Sequence, residues 1–534
     1  MAGALVSVIS RPVYNTSGWR PTEGQVAAAV VGGMVLLVLA LGWVESRLGL
    51  PAYGLALACG AACGWIAGPA RREPLLLALV PATILTTSAI IPYSARYLPA
   101  LTVLTAFLVA GRFDLGGLAA ATLRLPRPLI AALVAYLAWL AVTTATSTSH
   151  TVSLPYLLGS LVTLFIAFLL VPGLPSPERV AHHLLVTLAV AAVVIVLSGL
   201  LLFAVGSIHL YGRAVGLYNL EEALLFGHRT GIVFPQDYGP SVAPNSAPDA
   251  FGLVAALYLR SVSTWPGGRR LWTAAILIIL AGLLATFSRE GWLMAAIGSL
   301  ALFAAAARVR RRALAPMVLG VALLALLAGG LSNDVGVLGR MDLVRAWYGS
   351  PAPAILLNPN LDERGQAPAP TEPTIATGGL ATVQLKGFSS LFARVSLWRA
   401  AVAASEQRPL FGYGPGTDAD AIVPYLNGVD ARLRGATTHN TFLRMLVEMG
   451  LPGLLIYLLL MGLAVWYALR LLWRGFYAPS AVLAGTILGL LASQFQGTLL
   501  LGGFSFPGFW LALVLSLLAA DALRARPRPA PTAG

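Results

Sequence analysis

Residues 183–206 read HLLVTLAVAAVVIVLSGLLLFAVG, from His183 to Gly206. None is Asp, Glu, Lys or Arg. The run is longer than the ~20 apolar residues a helix needs to cross the hydrocarbon core of a bilayer. Similar runs recur along the chain, near 25–44, 50–69, 74–91, 97–111, 128–145, 152–171, 248–262, 271–287, 291–307, 313–330, 441–468, 479–500 and 507–523. The runs at 97–111, 248–262 and 291–307 are the shorter or weaker ones. Composition agrees with this reading. Of 534 residues, 58% are hydrophobic and 10% charged, and mean hydropathy is +0.80. A soluble domain carries about 25% charged residues, so a soluble enzyme is excluded. The apolar excess equally excludes a disordered chain. The expected fold is an all-α polytopic membrane protein.

The net charge of +14 reads as topology. Arg11 and Arg20, Arg71 and Arg72, Arg112, Arg124 and Arg127, Arg179, Arg260 with Arg269 and Arg270, the Arg308–Arg312 run, Arg470 and Arg474, and Arg524, Arg526 and Arg528 fall on one side. The short loops of the other side hold only Arg47, Arg96 and Arg289. Basic residues mark the cytoplasmic side, so both termini are expected there. A nucleic-acid surface would need a basic face on a soluble domain, and none is read, so no nucleic-acid partner is expected.

The chain divides into N-terminal transmembrane helices (1–206), an extracytoplasmic loop (207–247), central helices (248–330), a large extracytoplasmic loop (331–438), C-terminal helices (439–524) and a cytoplasmic tail (525–534). The stretch 350–378, rich in Pro, Ala and Thr, reads as an insertion with little order. Over 391–406, Leu391, Val395, Trp398 and Val402 share one helical face, which predicts a short helix resting on the membrane or the bundle. The two cysteines, Cys59 and Cys63, adjoin Gly60 and Gly64 in an apolar run. They read as packing residues of a small-xxx-small contact, not as a disulfide or metal site. The N-terminus has no basic region leading directly into an apolar core, so no cleavable signal peptide is read. No internal repeat of the kind that marks many transporters is visible.

The polar residues that stand out lie at the extracytoplasmic ends of spans. Arg289, in Phe287-Ser288-Arg289-Glu290-Gly291-Trp292, occupies a tight turn. It is either an interfacial side chain reaching toward headgroups or an anion ligand at membrane depth. Arg213 lies between Gly212 and Gly216 in the first long loop, where glycines permit close backbone approach to a ligand. It can equally be a solvated loop residue. Arg394 and Arg399 flank the apolar face of the 391–406 helix. His439 begins a span after Thr437 and Thr438, residues of capping type. A helix N-terminus disfavours positive charge, so its imidazole is expected to be neutral and able to accept a proton. The alternative is a capping or interfacial histidine. Arg444 and Glu448 are spaced to pair along the helix. Asp418-Ala419-Asp420 has the DxD form of metal sites, but no tight acidic cluster accompanies it, so no metal is expected. Gly412-Tyr413-Gly414-Pro415-Gly416 lacks the strand and the Gly-Lys-Ser/Thr of a phosphate loop and reads as a turn. His150, His209 and His228 have no ligand-pair spacing.

Over roughly 205–470 these segments resemble the O-antigen ligase and O-antigen polymerase superfamily of bacterial polyprenyl-diphosphate-glycan transferases. The resemblance rests on Arg394-x-x-x-Trp398, then Pro409-Leu410-Phe411-Gly412-Tyr413-Gly414-Pro415-Gly416, then His439-Asn440-Thr441-Phe442-Leu443 with Glu448, Gly450 and Gly453. The Ser288-Arg289 turn, and Arg213–Tyr218 with Pro244-Asn245, add to it. The insertion before Arg394 and a span count above twelve depart from the pattern. The resemblance implies a GT-C-like bundle of about 12–14 spans. It also implies a metal-independent transfer, without cofactor, of a glycan from a polyprenyl (undecaprenyl) diphosphate carrier to a lipid or glycan hydroxyl. The reaction would occur at the outer face of the bacterial cytoplasmic membrane. His439 and Arg289 would be catalytic, and Arg213, Arg394, Arg399 and Asn440 would bind diphosphate or glycan. A ligase, a polymerase of the same superfamily, and a polysaccharide flippase or other transporter remain alternatives from sequence.

Overall fold

The computed structural model of the chain describes residues 28–37, 40, 51–69, 72–85, 98–111, 125–171, 177–205, 207–210, 213–216, 246–264, 266–286, 289–308, 320, 395–426, 437–473, 479–493 and 506–524. The helices are α1 Ala28–Leu37, α2 Pro51–Ala67, α3 Arg72–Leu85, α4 Leu98–Ala110, α5 Arg127–Ala145, α6 His150–Phe165, α7 Pro177–Val205, α8 Ser246–Val262, α9 Pro266–Thr286, α10 Arg289–Arg308, α11 over 395–407, the one-turn α12 Asp418–Ala421, α13 Thr441–Trp473, α14 Pro479–Ala492 and α15 Phe506–Arg524. The all-α polytopic reading holds. Among the described residues, Arg127–Ala145, His150–Phe168, Arg179–Ser198 and Thr441–Leu472 are long and apolar enough to cross a membrane by themselves.

Local sequence explains the boundaries. α5 opens on Pro126 and Pro128, where a missing N–H costs nothing because the first amides of a helix have no intrahelical acceptor. α6 runs on into a π-helical turn, Ile166–Leu170. α8, short in hydropathy terms, is buried from Ala247 to Leu259 with Tyr258 and Phe251 fully enclosed. A helix buried on every face belongs inside a bundle, and α8 packs against α7, α9, α10 and α14. Leucines on the outer helices are exposed, as lipid-facing residues should be, among them Leu158 on α6, Leu277 on α9 and Leu455 on α13.

The small-residue contact on α2 is present, and the glycines make it. A Cβ on Gly60 would meet the Thr102 backbone of α4, and one on Gly64 the Ala106 backbone. Cys59 and Cys63 face away from this contact and are exposed.

Three features differ from the sequence expectation. First, a two-stranded antiparallel hairpin, β1 Ser207–Leu210 and β2 Arg213–Gly216, follows α7, so Arg213 stands in a strand. Second, the buried face of α11 is Leu397, Ala400, Ala401 and Ala404, while Val402 is exposed. The larger apolar residues suggested a different face, but the alanines are what allow α11 to pack closely. Third, α13 is broken at Gly450. The run at 313–330 apart from residue 320, the insertion at 350–378, and Leu391 and Arg394 lie outside the described residues.

Candidate active site

The break in α13 is the organising feature. Pro452 has no N–H and its ring excludes the carbonyl four residues back. Gly450 supplies φ 67° and ψ −174°, a region open essentially to glycine alone. Carbonyls that a continuous helix would satisfy internally are therefore free. A loop at 409–416 takes them up: the Tyr413 N–H donates to Val447 O at 2.9 Å and the Gly414 N–H to Glu448 O at 2.9 Å. In return the Leu451 N–H donates to Pro409 O at 2.7 Å. Trp139 of α5 completes the set, its Nε1 donating to Met449 O at 2.9 Å while its ring stacks on Phe411.

The loop fits because Gly412, Gly414 and Gly416 all have positive φ. A Cβ on Gly412 would strike the Glu448 backbone. The loop is also fastened to the α5–α6 turn. Tyr413 O accepts from the Thr148 N–H at 2.9 Å and from the hydroxyls of Ser147 and Thr148 at 3.1 and 3.0 Å. The Ser153 hydroxyl donates to Pro415 O at 2.8 Å. The expected turn is thus present, and it acts as a clasp between three elements. Burial and a 3.2 Å contact with the Tyr425 hydroxyl push the Tyr413 phenol up to about 12, against the opposing pull of Arg408.

Beside the clasp lies a buried charge cluster. Arg444 Nε is 2.7 Å from Glu448 Oε1 and 3.5 Å from Asp418 Oδ1, and the three side chains are 7%, 0% and 1% exposed. The expected pairing of Arg444 with Glu448 is present, and Asp418 joins it. Asp420, its partner in the DxD, is exposed. The other oxygen of Asp418, Oδ2, accepts the Thr438 N–H at 3.1 Å. Trp398 of α11 donates Nε1 to Thr438 O at 3.0 Å. The peptide groups on both sides of Thr438 are therefore held from separate elements.

His439 follows directly. It is half-buried, with φ 47°. The helix proper starts at Thr441, and its cap is Asn440, whose Oδ1 accepts the amides of Phe442 and Leu443 at 3.0 and 3.2 Å. The Asn440 side-chain oxygen is thus used in capping. His439 stands one position ahead of the cap.

Connectivity brings Arg289 to the same end. α13 and α14 are joined by a short connection and pack together. α14 runs antiparallel to α10: Gly485 abuts Gly298 and Ala301, and Gly489 abuts Met294. The N-termini of α10 and α13 consequently share one end of the bundle, with Arg289 opening α10 and His439 just ahead of α13. Arg399 lies on α11 and its side chain is exposed. Arg213 is placed by its backbone in β2. Among the described residues, no three His, Cys, Asp or Glu come together as a metal-binding group.

Sequence reasoning missed the pinning of Thr438 and the burial of Asp418. It also missed Asp249 of α8, which is 1% exposed and whose Oδ1 has no hydrogen-bond partner among the described residues. A carboxylate inside an apolar run was the available signal for Asp249. For the helix break it was Gly450 followed by Pro452.

Comparison with known proteins gives one family. Residues 274–458 match the family model Wzy_C, O-antigen ligase. This stretch contains Arg289, α11, the clasp, the charge cluster and His439. No curated protein matches the chain.

Proposed function

With an O-antigen ligase domain over residues 274–458, we propose that the chain transfers a glycan from a polyprenyl diphosphate carrier to an acceptor hydroxyl at the outer face of the cytoplasmic membrane. His439 takes the acceptor proton. Its half-buried place ahead of the α13 cap, on a backbone held from two sides, is the observation that supports this reading best. General-base catalysis needs a neutral imidazole within reach of the proton. Arg289, at the same end of the bundle, meets the charge that grows on the diphosphate as the glycosidic bond breaks. A preorganised planar guanidinium suits that task. Arg213, Arg394 and Arg399 contribute to binding the donor, and no metal enters.

The proton leaves the acceptor oxygen for the imidazole as that oxygen attacks the anomeric carbon. The bond from the anomeric carbon to the diphosphate oxygen breaks, and its electron pair stays on the carrier. The break in α13 favours a second reading, since discontinuous helices mark many transporters. Here, however, the freed carbonyls are occupied by the clasp, not turned to a central cavity. Deleting the gene in its host and analysing lipid-linked glycans separates the readings. Long polymer accumulating on the carrier indicates a ligase, single repeat units indicate a polymerase, and unchanged lipid-linked species refute the enzyme.

A further inference from the structure

We propose that Asp418, together with Trp398, is a positioning residue that holds His439 in its working orientation through the Thr438 backbone. The inference rests on His439 being the base. Asp418 Oδ2 takes the Thr438 N–H at 3.1 Å, and Trp398 Nε1 reaches Thr438 O at 3.0 Å. Neither bond touches the imidazole, yet together they fix the peptides on both sides of the residue that precedes it. On the far side, the Asn440 cap fixes the start of the helix.

His439 is the only non-glycine residue with positive φ among the described residues. Such a backbone conformation persists only where its surroundings over-determine it, and it is concentrated at functional sites. Without the two pins, the backbone at His439 can relax toward an ordinary φ, which swings the ring away.

Asp418 is itself anchored. Its Oδ1 lies 3.5 Å from Arg444 Nε, the same nitrogen that Glu448 Oε1 holds at 2.7 Å. The chain of contacts therefore runs Glu448, Arg444, Asp418, Thr438, His439. Every charged member is buried, so solvent screens it little. This gives the first aspartate of the DxD a role that needs no metal and explains why Asp418 is buried while Asp420 is exposed.

The test is a double-mutant cycle on the purified full-length protein with lipid-linked glycan donor. Asp418→Ala, which removes the acceptor of the Thr438 N–H, and Trp398→Phe, which removes the donor to Thr438 O, are each made alone and in the His439→Ala background. Misplacing a reacting group by ~1 Å costs up to ~10²-fold. Each single variant should therefore lower kcat by roughly 10- to 100-fold with the donor KM unchanged, and neither should lower it further once His439 is gone. Trp398→Phe keeps the packing and serves if Asp418→Ala does not fold. Full activity of the folded variants, or an equal loss with and without His439, overturns the proposal. If His439→Ala itself keeps near-normal turnover, the base assignment fails, and the positioning role falls with it.

Discussion

Gly450→Ala tests whether the helix break holds the site together. At φ 67° and ψ −174°, a residue with a Cβ bears about 1–3 kcal/mol of backbone strain. The added methyl would also meet Leu410 O, Leu410 C and Pro409 O. All three are backbone atoms, so no rotamer change relieves the contact. Straightening the helix is no escape, because Pro452 in a helix interior costs ~3 kcal/mol or more. The loop must therefore withdraw. It then loses the Leu451–Pro409, Tyr413–Val447 and Gly414–Glu448 bonds, each worth about 0.5–1.5 kcal/mol. Together these effects amount to about 2.5–7.5 kcal/mol. Gly462→Ala is the internal control. It lies on the same helix with nothing within 4 Å of its added Cβ, and should be neutral or stabilising by up to ~1 kcal/mol. Unfolding in mixed detergent micelles, followed by tryptophan fluorescence, reads both variants. A loss below about 1 kcal/mol at Gly450 with activity intact would refute the view that the clasp and the break form one unit.

Three further outcomes are expected. Arg289→Ala should abolish transfer while the protein remains inserted, and Arg289→Lys should recover little because Lys lacks the planar fork; normal turnover in both would leave Arg289 as an interface anchor. The Tyr413 phenol, raised to about 12, should appear at that pH in the absorbance difference between wild type and Tyr413→Phe, and move down in Tyr425→Phe. Because the folded value lies above the ordinary ~10, its stabilising contribution is complete below pH ~10 and is lost as pH rises toward about 12; a midpoint near ~10 would contradict the described contact. EDTA should leave transfer unchanged, whereas inhibition reversed by manganese would return Asp418 and Asp420 to a metal role.

The bundle was legible because lipid imposes a simple rule: long uncharged runs must be helices with their backbone groups satisfied internally. Hydropathy located α5, α6 and α7 on that ground. It could not give the arrangement of the helices, because α8 owes its central place to burial on all sides and not to length. Residue chemistry picked out His439, and the i,i+4 spacing correctly paired Arg444 with Glu448. Spacing along one helix could not show that Asp418 joins that pair, since the contact brings together residues far apart in sequence. The face of α11 was misjudged for a related reason. Large side chains such as Val402 dominate a helical wheel, but close packing selects the small residues Ala400, Ala401 and Ala404. Asn440 illustrates a further limit: the residue type suits both a ligand contact and a cap, and only the hydrogen bonds to Phe442 and Leu443 show the cap.

The length of α13 explains why a break lies where it does. From Leu451 to Trp473 the helix is about 34 Å long at 1.5 Å per residue, which already exceeds the ~30 Å hydrocarbon core. The preceding turns, from Thr441 to Met449, are therefore not needed to span the membrane. They carry Arg444 and Glu448, which are costly at membrane depth even when paired. Were the helix continuous, those turns would follow the axis of the span, and the place of His439 would vary with the tilt that lipid thickness imposes. The break uncouples the two. Ahead of Gly450 the helix direction is set by bonds to the 409–416 loop, and through that loop by Ser147 and Thr148 of the α5–α6 turn and Ser153 of α6. The membrane thus sets where the span lies, while the clasp and the buried charges set where His439 stands.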